Sequence, residues 1–135
     1  MWKEKWVATP DVLRVLIADD AAEIRLLLRM YLTGNKLEVV GEATNGKEAV
    51  DIATTEQPDA VILDLAMPVM DGLEAIPLIK QASPRSKIVV LSGFDADRAA
   101  ETALNLGAER YLQKGVALGD ISQLLWDLCT SDRVR

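Results

Sequence analysis

At 135 residues, half of them hydrophobic, the chain suits one domain that buries a core without disulfides. Its net charge of −6 withholds the cationic contribution that dominates affinity for nucleic acid, and would also repel anionic lipid. A single cysteine, Cys129, and the absence of histidine exclude an internal disulfide, a Cys/His zinc cluster and any triad that needs imidazole, so chemistry must run on carboxylates, hydroxyls and amines.

Short β-rich apolar runs alternate with stretches at helical spacing, the pattern of a parallel sheet covered on both faces. The first strand is read at Leu13–Asp19. The stretch after it sets Ile24, Leu27, Leu28, Tyr31 and Leu32 on one helical face and ends at Gly34. Leu37–Ala43 forms a second strand, followed after Gly46 by a short helix with Ala49, Val50 and Ala53 inward and a turn at Pro58. Ala60–Asp64 reads as a wholly apolar central strand that stops at an aspartate. The next helix begins near Gly72 and contains Pro77, which costs one backbone hydrogen bond unless it falls in the first turn. Lys87–Leu91 and Glu109–Leu112 are the fourth and fifth strands, separated by an Ala-rich helix over Asp95–Leu106. A last helix carries the stripe Leu118, Ile121, Leu124, Leu125 and Leu128. Residues 1–11 read as an N-terminal extension, 12–130 as the domain and 131–135 as a tail. No apolar run reaches the roughly 20 residues of a membrane span, and the start mixes Lys3, Glu4 and Lys5 with Trp2 and Trp6 rather than forming a signal core. A cytoplasmic location is expected.

Ligands of an open parallel sheet bind at the carboxyl ends of its strands, beside the point where strand order reverses. Here those ends carry Asp19 and Asp20 (first strand), Asp64 (third) and Ser92 (fourth), with Lys114 just past the fifth. Three carboxylates in one cleft repel one another, and their hard oxygens suit Mg²⁺, which keeps positions open for water or phosphate. With that charge offset, one carboxylate can attack phosphorus while Ser92 and Lys114 meet the oxygens of the transferred group.

Leu13-Arg-Val-Leu-Ile-Ala-Asp-Asp20, Leu63-Asp-Leu-Ala-Met-Pro-Val-Met-Asp-Gly72, Val90-Leu-Ser92 and Tyr111-Leu-Gln-Lys114, in that order, resemble the receiver domain of bacterial response regulators, with a match from about Leu13 to Leu128. The run Leu37–Ala43 also looks like the subgroup whose receivers precede a LuxR-type helix-turn-helix domain. The resemblance implies a flavodoxin-like, doubly wound five-stranded sheet of order 2-1-3-4-5 with five helices. It implies Asp64 as phosphoacceptor, Asp20 as a direct Mg²⁺ ligand, Asp19 beside it through a water, and a metal contact from the backbone carbonyl of Ala66. Lys114 and Ser92 would bind the phosphoryl group, and Ser92 and Tyr111 would move with it as the switch. The implied partners are a histidine kinase or phosphotransfer protein and a downstream protein or output domain outside this chain. Direct nucleic-acid or membrane binding is not expected, and a homodimer formed on phosphorylation remains open. Enzymatic activity beyond self-phosphorylation and self-dephosphorylation at Asp64 is not expected.

Two residues depart from the family pattern. Gly115 follows Lys114 where many members carry a cis proline, and Ala66 leaves the approach to Asp64 open without helping or hindering a water. Each motif also has a plain reading. Asp19 and Asp20 could be a helix cap, Asp64 and Ser92-Gly93 turn chemistry, Lys114 a surface lysine, Tyr111 a core residue, Met67 and Met70 loop anchors and Asp71-Gly72 a turn. Gly41-Glu-Ala-Thr-Asn-Gly46-Lys47 nearly spells a nucleotide-binding loop, but Glu48 stands where a metal-holding hydroxyl is needed. A haloacid-dehalogenase-type phosphatase needs an acid two residues past its nucleophile, and Ala66, Ala21 and Ala22 fail that test for Asp64, Asp19 and Asp20. A flavin binder fits less well still, because the acidic pair fills the loop that would cradle a phosphate. A receiver-like interaction module that works without phosphorylation remains as a further alternative.

Overall fold

The computed structural model describes residues 11–93 and 97–131. Five parallel strands, β1 (Leu13–Ala18), β2 (Leu37–Ala43), β3 (Ala60–Leu63), β4 (Lys87–Ser92) and β5 (Arg110–Gln113), alternate with helices α1 (Ala22–Thr33), α2 (Gly46–Glu56), α3 (Gly72–Ala82), α4 (Asp97–Leu106) and α5 (Leu118–Ser131). The sheet order is β2-β1-β3-β4-β5, as expected, and the switch point lies between β1 and β3. The expected extension (1–11) and tail (131–135) fall outside the described residues but for Asp11 and the backbone of Ser131. The expected start of the fourth helix at Asp95 also lies outside them. Strand boundaries otherwise move by a residue: β1 and β3 stop just before Asp19 and Asp64, which leaves both aspartates at the carboxyl edge.

The alternation within each strand sorts the core into two. Leu13, Val15 and Ile17 of β1 join Ile62, Val89 and Leu91 beneath Leu28 and Leu32 of α1 and Ile121 and Leu125 of α5. Leu16 and Ala18 join Val61, Leu63 and Val90 beneath Ala49 and Ala53 of α2, Ile76 and Ile79 of α3 and Ala103 of α4. One expected inward residue differs. Leu27 is 55% exposed, because the buried stripe of α1 centres on Leu28 and Leu32 with Ile24 and Tyr31 half-buried, and Leu27 sits on its margin. Gly34 closes α1 in a right-handed conformation.

Pro77 lies in the second turn of α3, not the first, and the helix continues through it. Its ring removes one donor on the exposed side of the helix, where the freed carbonyl can turn to water. Asp71 caps the helix by accepting from the Glu74 N–H at 2.8 Å. The near-nucleotide loop before α2 is also a helix cap: Asn45 accepts from the Glu48 N–H at 2.8 Å, and Glu48 accepts from the Thr44 N–H and hydroxyl. Asn45→Ala is therefore expected to cost about 1 kcal/mol in a denaturant melt. No helix among the described residues is long and apolar enough to cross a membrane.

Candidate functional site

The switch point places Asp19 and Asp64 side by side, since the Asp64 N–H donates to the Ala18 carbonyl at 2.9 Å. Both are buried, whereas Asp20 is exposed. The carboxylate oxygens of Asp19, Asp20 and Asp64 come within 4.8 Å of one another. From the far side of the cleft, Lys114 extends its Nζ to 2.9 Å from Asp19 Oδ2 and 3.5 Å from Asp64 Oδ2. Ser92 is fully buried at the end of β4, and its carbonyl accepts from the Lys114 N–H at 2.7 Å, tying the β5 loop to β4. Asp20, Asp64, Ala66, Ser92, Gly93 and Lys114 line one open cleft of about 380 Å³. Asp20, Asp64, Ser92 and Lys114 thus meet there, and Asp19 joins them through its contacts with Asp64 and Lys114. Ala66 lies exposed at its rim, and Tyr111 stands apart, half-buried against the core beneath α2, α3 and α4.

Charge in this cleft is out of balance. Burial pushes the Asp64 carboxyl above its ordinary range and the Asp19 carboxylate pushes it further, while Lys114 and the Leu65 N–H pull back only part of the shift. Burial works against the Lys114 ammonium as well, but the hydrogen bond and charge of Asp19, then Asp64, outweigh it and hold the lysine above its ordinary value. One ammonium facing three carboxylates leaves a deficit of positive charge. Hard oxygen donors at this spacing, open to the cleft through the exposed Asp20, fit a divalent cation of the Mg²⁺ kind.

The loop after Asp64 is shaped by its neighbours. The Gly72 N–H donates to the Leu65 carbonyl at 2.9 Å, and the Gly46 N–H to the Met70 carbonyl at 2.8 Å, so the starts of α2 and α3 both hold it. Met67 is buried in the core and Met70 packs against it, which bears out their reading as anchors. At the other rim Gly115 has φ +108, a conformation closed to proline, so the loop after Lys114 takes a course of its own.

Two residues of the site were not anticipated. Arg25 of α1 donates to the backbone carbonyl of Asp19 at 2.7 Å and to Glu42 of β2 at 3.1 Å. The signal was present in Leu37-Glu-Val-Val-Gly-Glu-Ala43, where alternation breaks at two consecutive valines.

The chain matches the family described as response regulator receiver domain over residues 15–125. It is 42% identical over 101 residues to the chemotaxis protein CheY of Thermotoga maritima, covering 75% of this chain and 84% of that protein. It is also 38% identical over 111 residues to the response regulator protein VraR of Staphylococcus aureus, covering 82% of this chain but only 53% of VraR, so it spans about half the length of that relative. The receiver-domain structure of the response regulator NarL from Mycobacterium tuberculosis superposes with a TM-score of 0.85 at 27% identity, covering 90% of this chain and 98% of that one.

Proposed function

The chain belongs to the response regulator receiver family of two-component signalling, and from that premise we propose that it is a phosphorylation-operated switch whose acceptor is Asp64. The observation that carries this reading is the convergence of three carboxylates, Lys114 and Ser92 on one open cleft at the carboxyl edge of the sheet. Asp19, Asp20 and Asp64, with the Ala66 carbonyl, would hold Mg²⁺. When bound, Mg²⁺ offsets the charge of the carboxylates and of the arriving phosphoryl oxygens.

An Asp64 oxygen attacks the phosphorus of a phosphohistidine. The new O–P bond forms as the P–N bond breaks, and the departing imidazole keeps the electron pair and takes up a proton. These 135 residues contain no histidine to relay the group, so the donor's imidazole is that of a histidine kinase or phosphotransfer protein. Lys114 and Ser92 bind the equatorial oxygens as charge builds on them. Lys114 then follows the new charge on Asp64. Its backbone bond to Ser92 couples that movement to β4, and Tyr111, three residues earlier on β5, turns with it. The surface around α4 and β5 changes, and with it the affinity for a downstream protein or an output domain outside this chain. Ala66 supplies no carboxylic acid beyond Asp64, which favours a switch that turns over only its own phosphoryl group over a phosphomonoesterase.

The test is the intact mass after incubation with acetyl phosphate and Mg²⁺. A phosphoryl-sized gain, lost when EDTA strips the metal, is the expected result. No gain in a sample shown by calorimetry to bind Mg²⁺ would overturn the phosphorylation step and leave a module that signals by protein contacts alone.

A further inference from the structure

β2 contains one residue more than its pairing with β1 accommodates. Val15 pairs with Val39, but Leu16 pairs with Gly41, so Val40 is the extra residue of a bulge. The consequence is one of phase, since a shift of one residue sends every later side chain to the opposite face. Without the bulge Glu42 would pair with Ala18, whose side chain joins the core beneath α2, α3 and α4. With it Glu42 pairs with Ile17, on the face covered by α1. Gly41 then turns toward α2, where a Cβ would stand 2.7 Å from Ile52 Cγ2, so the position tolerates no side chain without repacking.

On the α1 face Glu42 bridges two guanidinium groups, Arg25 at 3.1 Å and Arg29 at the exposed edge. Burial would push the Glu42 carboxyl up, but these two arginines outweigh it and hold it below its ordinary value, so it stays ionised and grips them. The held guanidinium of Arg25 reaches on to the Asp19 carbonyl at 2.7 Å. That carbonyl belongs to the peptide joining Asp19 to Asp20. On its other side, the Asp19 N–H donates to the Ala43 carbonyl at 3.0 Å and its Oδ1 accepts from the Ala21 N–H at 2.9 Å. The peptide plane between the two acidic residues therefore has its orientation set by Arg25.

We infer that Glu42 and Arg25 form a positioning device for the acidic pair, in which the bulge at Val40 aims Glu42 at Arg25 and Arg25 locks the Asp19–Asp20 peptide so that both carboxylates face one cation. The inference rests on the proposed metal-dependent switch and names the residues outside the cleft that tune it. Partners that orient metal ligands this way are worth 10- to 100-fold in affinity in other proteins.

The sign of the effect makes the inference testable. As a cation near the cluster, Arg25 acting by charge alone would repel Mg²⁺, and its removal would tighten binding. Acting by position, its removal weakens binding. Calorimetric titration of Mg²⁺ into the full chain should give a Kd about 10-fold or more higher for Arg25→Ala than for the parent. Arg25→Lys should also bind more weakly, since it keeps the charge but one ammonium replaces the two-pronged fork that spans Glu42 and the Asp19 carbonyl. Phosphorylation by acetyl phosphate should need more Mg²⁺ in both variants and approach the parent rate at saturation, a split that general loosening of the fold would not produce. Circular dichroism verifies the fold, and if Arg25→Ala does not fold, Arg25→Lys carries the comparison. Unchanged or tighter Mg²⁺ binding in the folded variants overturns the inference while leaving the switch intact. Absence of Mg²⁺ binding in the parent overturns both.

Discussion

Asp64→Asn should take up no phosphoryl group and should melt at a higher temperature than the parent in metal-free buffer at neutral pH. The first effect follows from chemistry: an amide oxygen is too poor a nucleophile to attack phosphorus, and no other carboxylate of the cleft lies at the end of the central strand. The second follows from the raised pKa of Asp64. A carboxyl whose folded value lies above its unfolded value binds more protons folded than unfolded between the two. Stability therefore falls as pH rises through that window, and the cost is complete above it. An amide carries no charge and escapes that cost. The advantage should shrink as the buffer is acidified from neutral pH to the ordinary aspartate value of 3.8, because the parent then regains its proton. Thermal melts of both proteins across that range check it. An advantage that stays constant with pH would place its origin elsewhere. Saturating Mg²⁺ should narrow the gap, by stabilising the parent in proportion to ligand binding.

Gly72→Ala is expected to cause the largest loss of stability from a single methyl group. A Cβ there would stand 2.3 Å from the Asp64 carbonyl oxygen and 2.8 Å from Leu65 Cα, both backbone atoms of the acceptor strand's own end. Neither can rotate away as a side chain could, so the start of α3 and the tip of β3 must separate. Overpacking of this sort costs about 3 kcal/mol, or roughly 10 °C in a domain of this size. The same separation displaces Asp64, so phosphorylation of the variant at temperatures where it stays folded should also slow. Gly34→Ala is the control, since its backbone has φ −74 and an added Cβ makes only ordinary contacts. That variant should stay within about 0.5 kcal/mol of the parent.

Strand order, helix count and the polar residues that line the cleft could all be read from the chain. The strands are short runs that end in chemically distinct residues, and a parallel sheet brings such ends together. Asp64 announced itself because a wholly apolar run stopped at a charge. Leu27 misled because helical spacing identifies a stripe but not its width, and a residue on the margin satisfies the same count as one at the centre. Arg25 and Glu42 escaped for a different reason. Reading a strand by alternation assumes that its phase is continuous, and the extra residue at Val40 breaks the phase within three residues of Glu42. The close approach of Gly72 to Asp64 is likewise a tertiary fact: Asp71-Gly72 looks like any turn until the strand it touches is known.

The division of the core into two has a consequence for the order in which the molecule assembles. The layer beneath α2, α3 and α4 is built from consecutive βα units, whose loops close over short lengths of chain. The opposite layer needs α1 and α5, so its closure waits until Leu118–Ser131 has left the ribosome. One link across it, from the Trp126 indole N–H to the Asn35 carbonyl, spans 91 residues. Chain-closure entropy grows with such separation, and distant contacts form late. A nascent chain cut short before Leu118 would carry one finished face and one covered by α1 alone, its apolar layer open as an adhesive surface where Ile121 and Leu125 have yet to arrive. Aggregation during synthesis should therefore track the time taken to translate α5 rather than the stability of the finished fold.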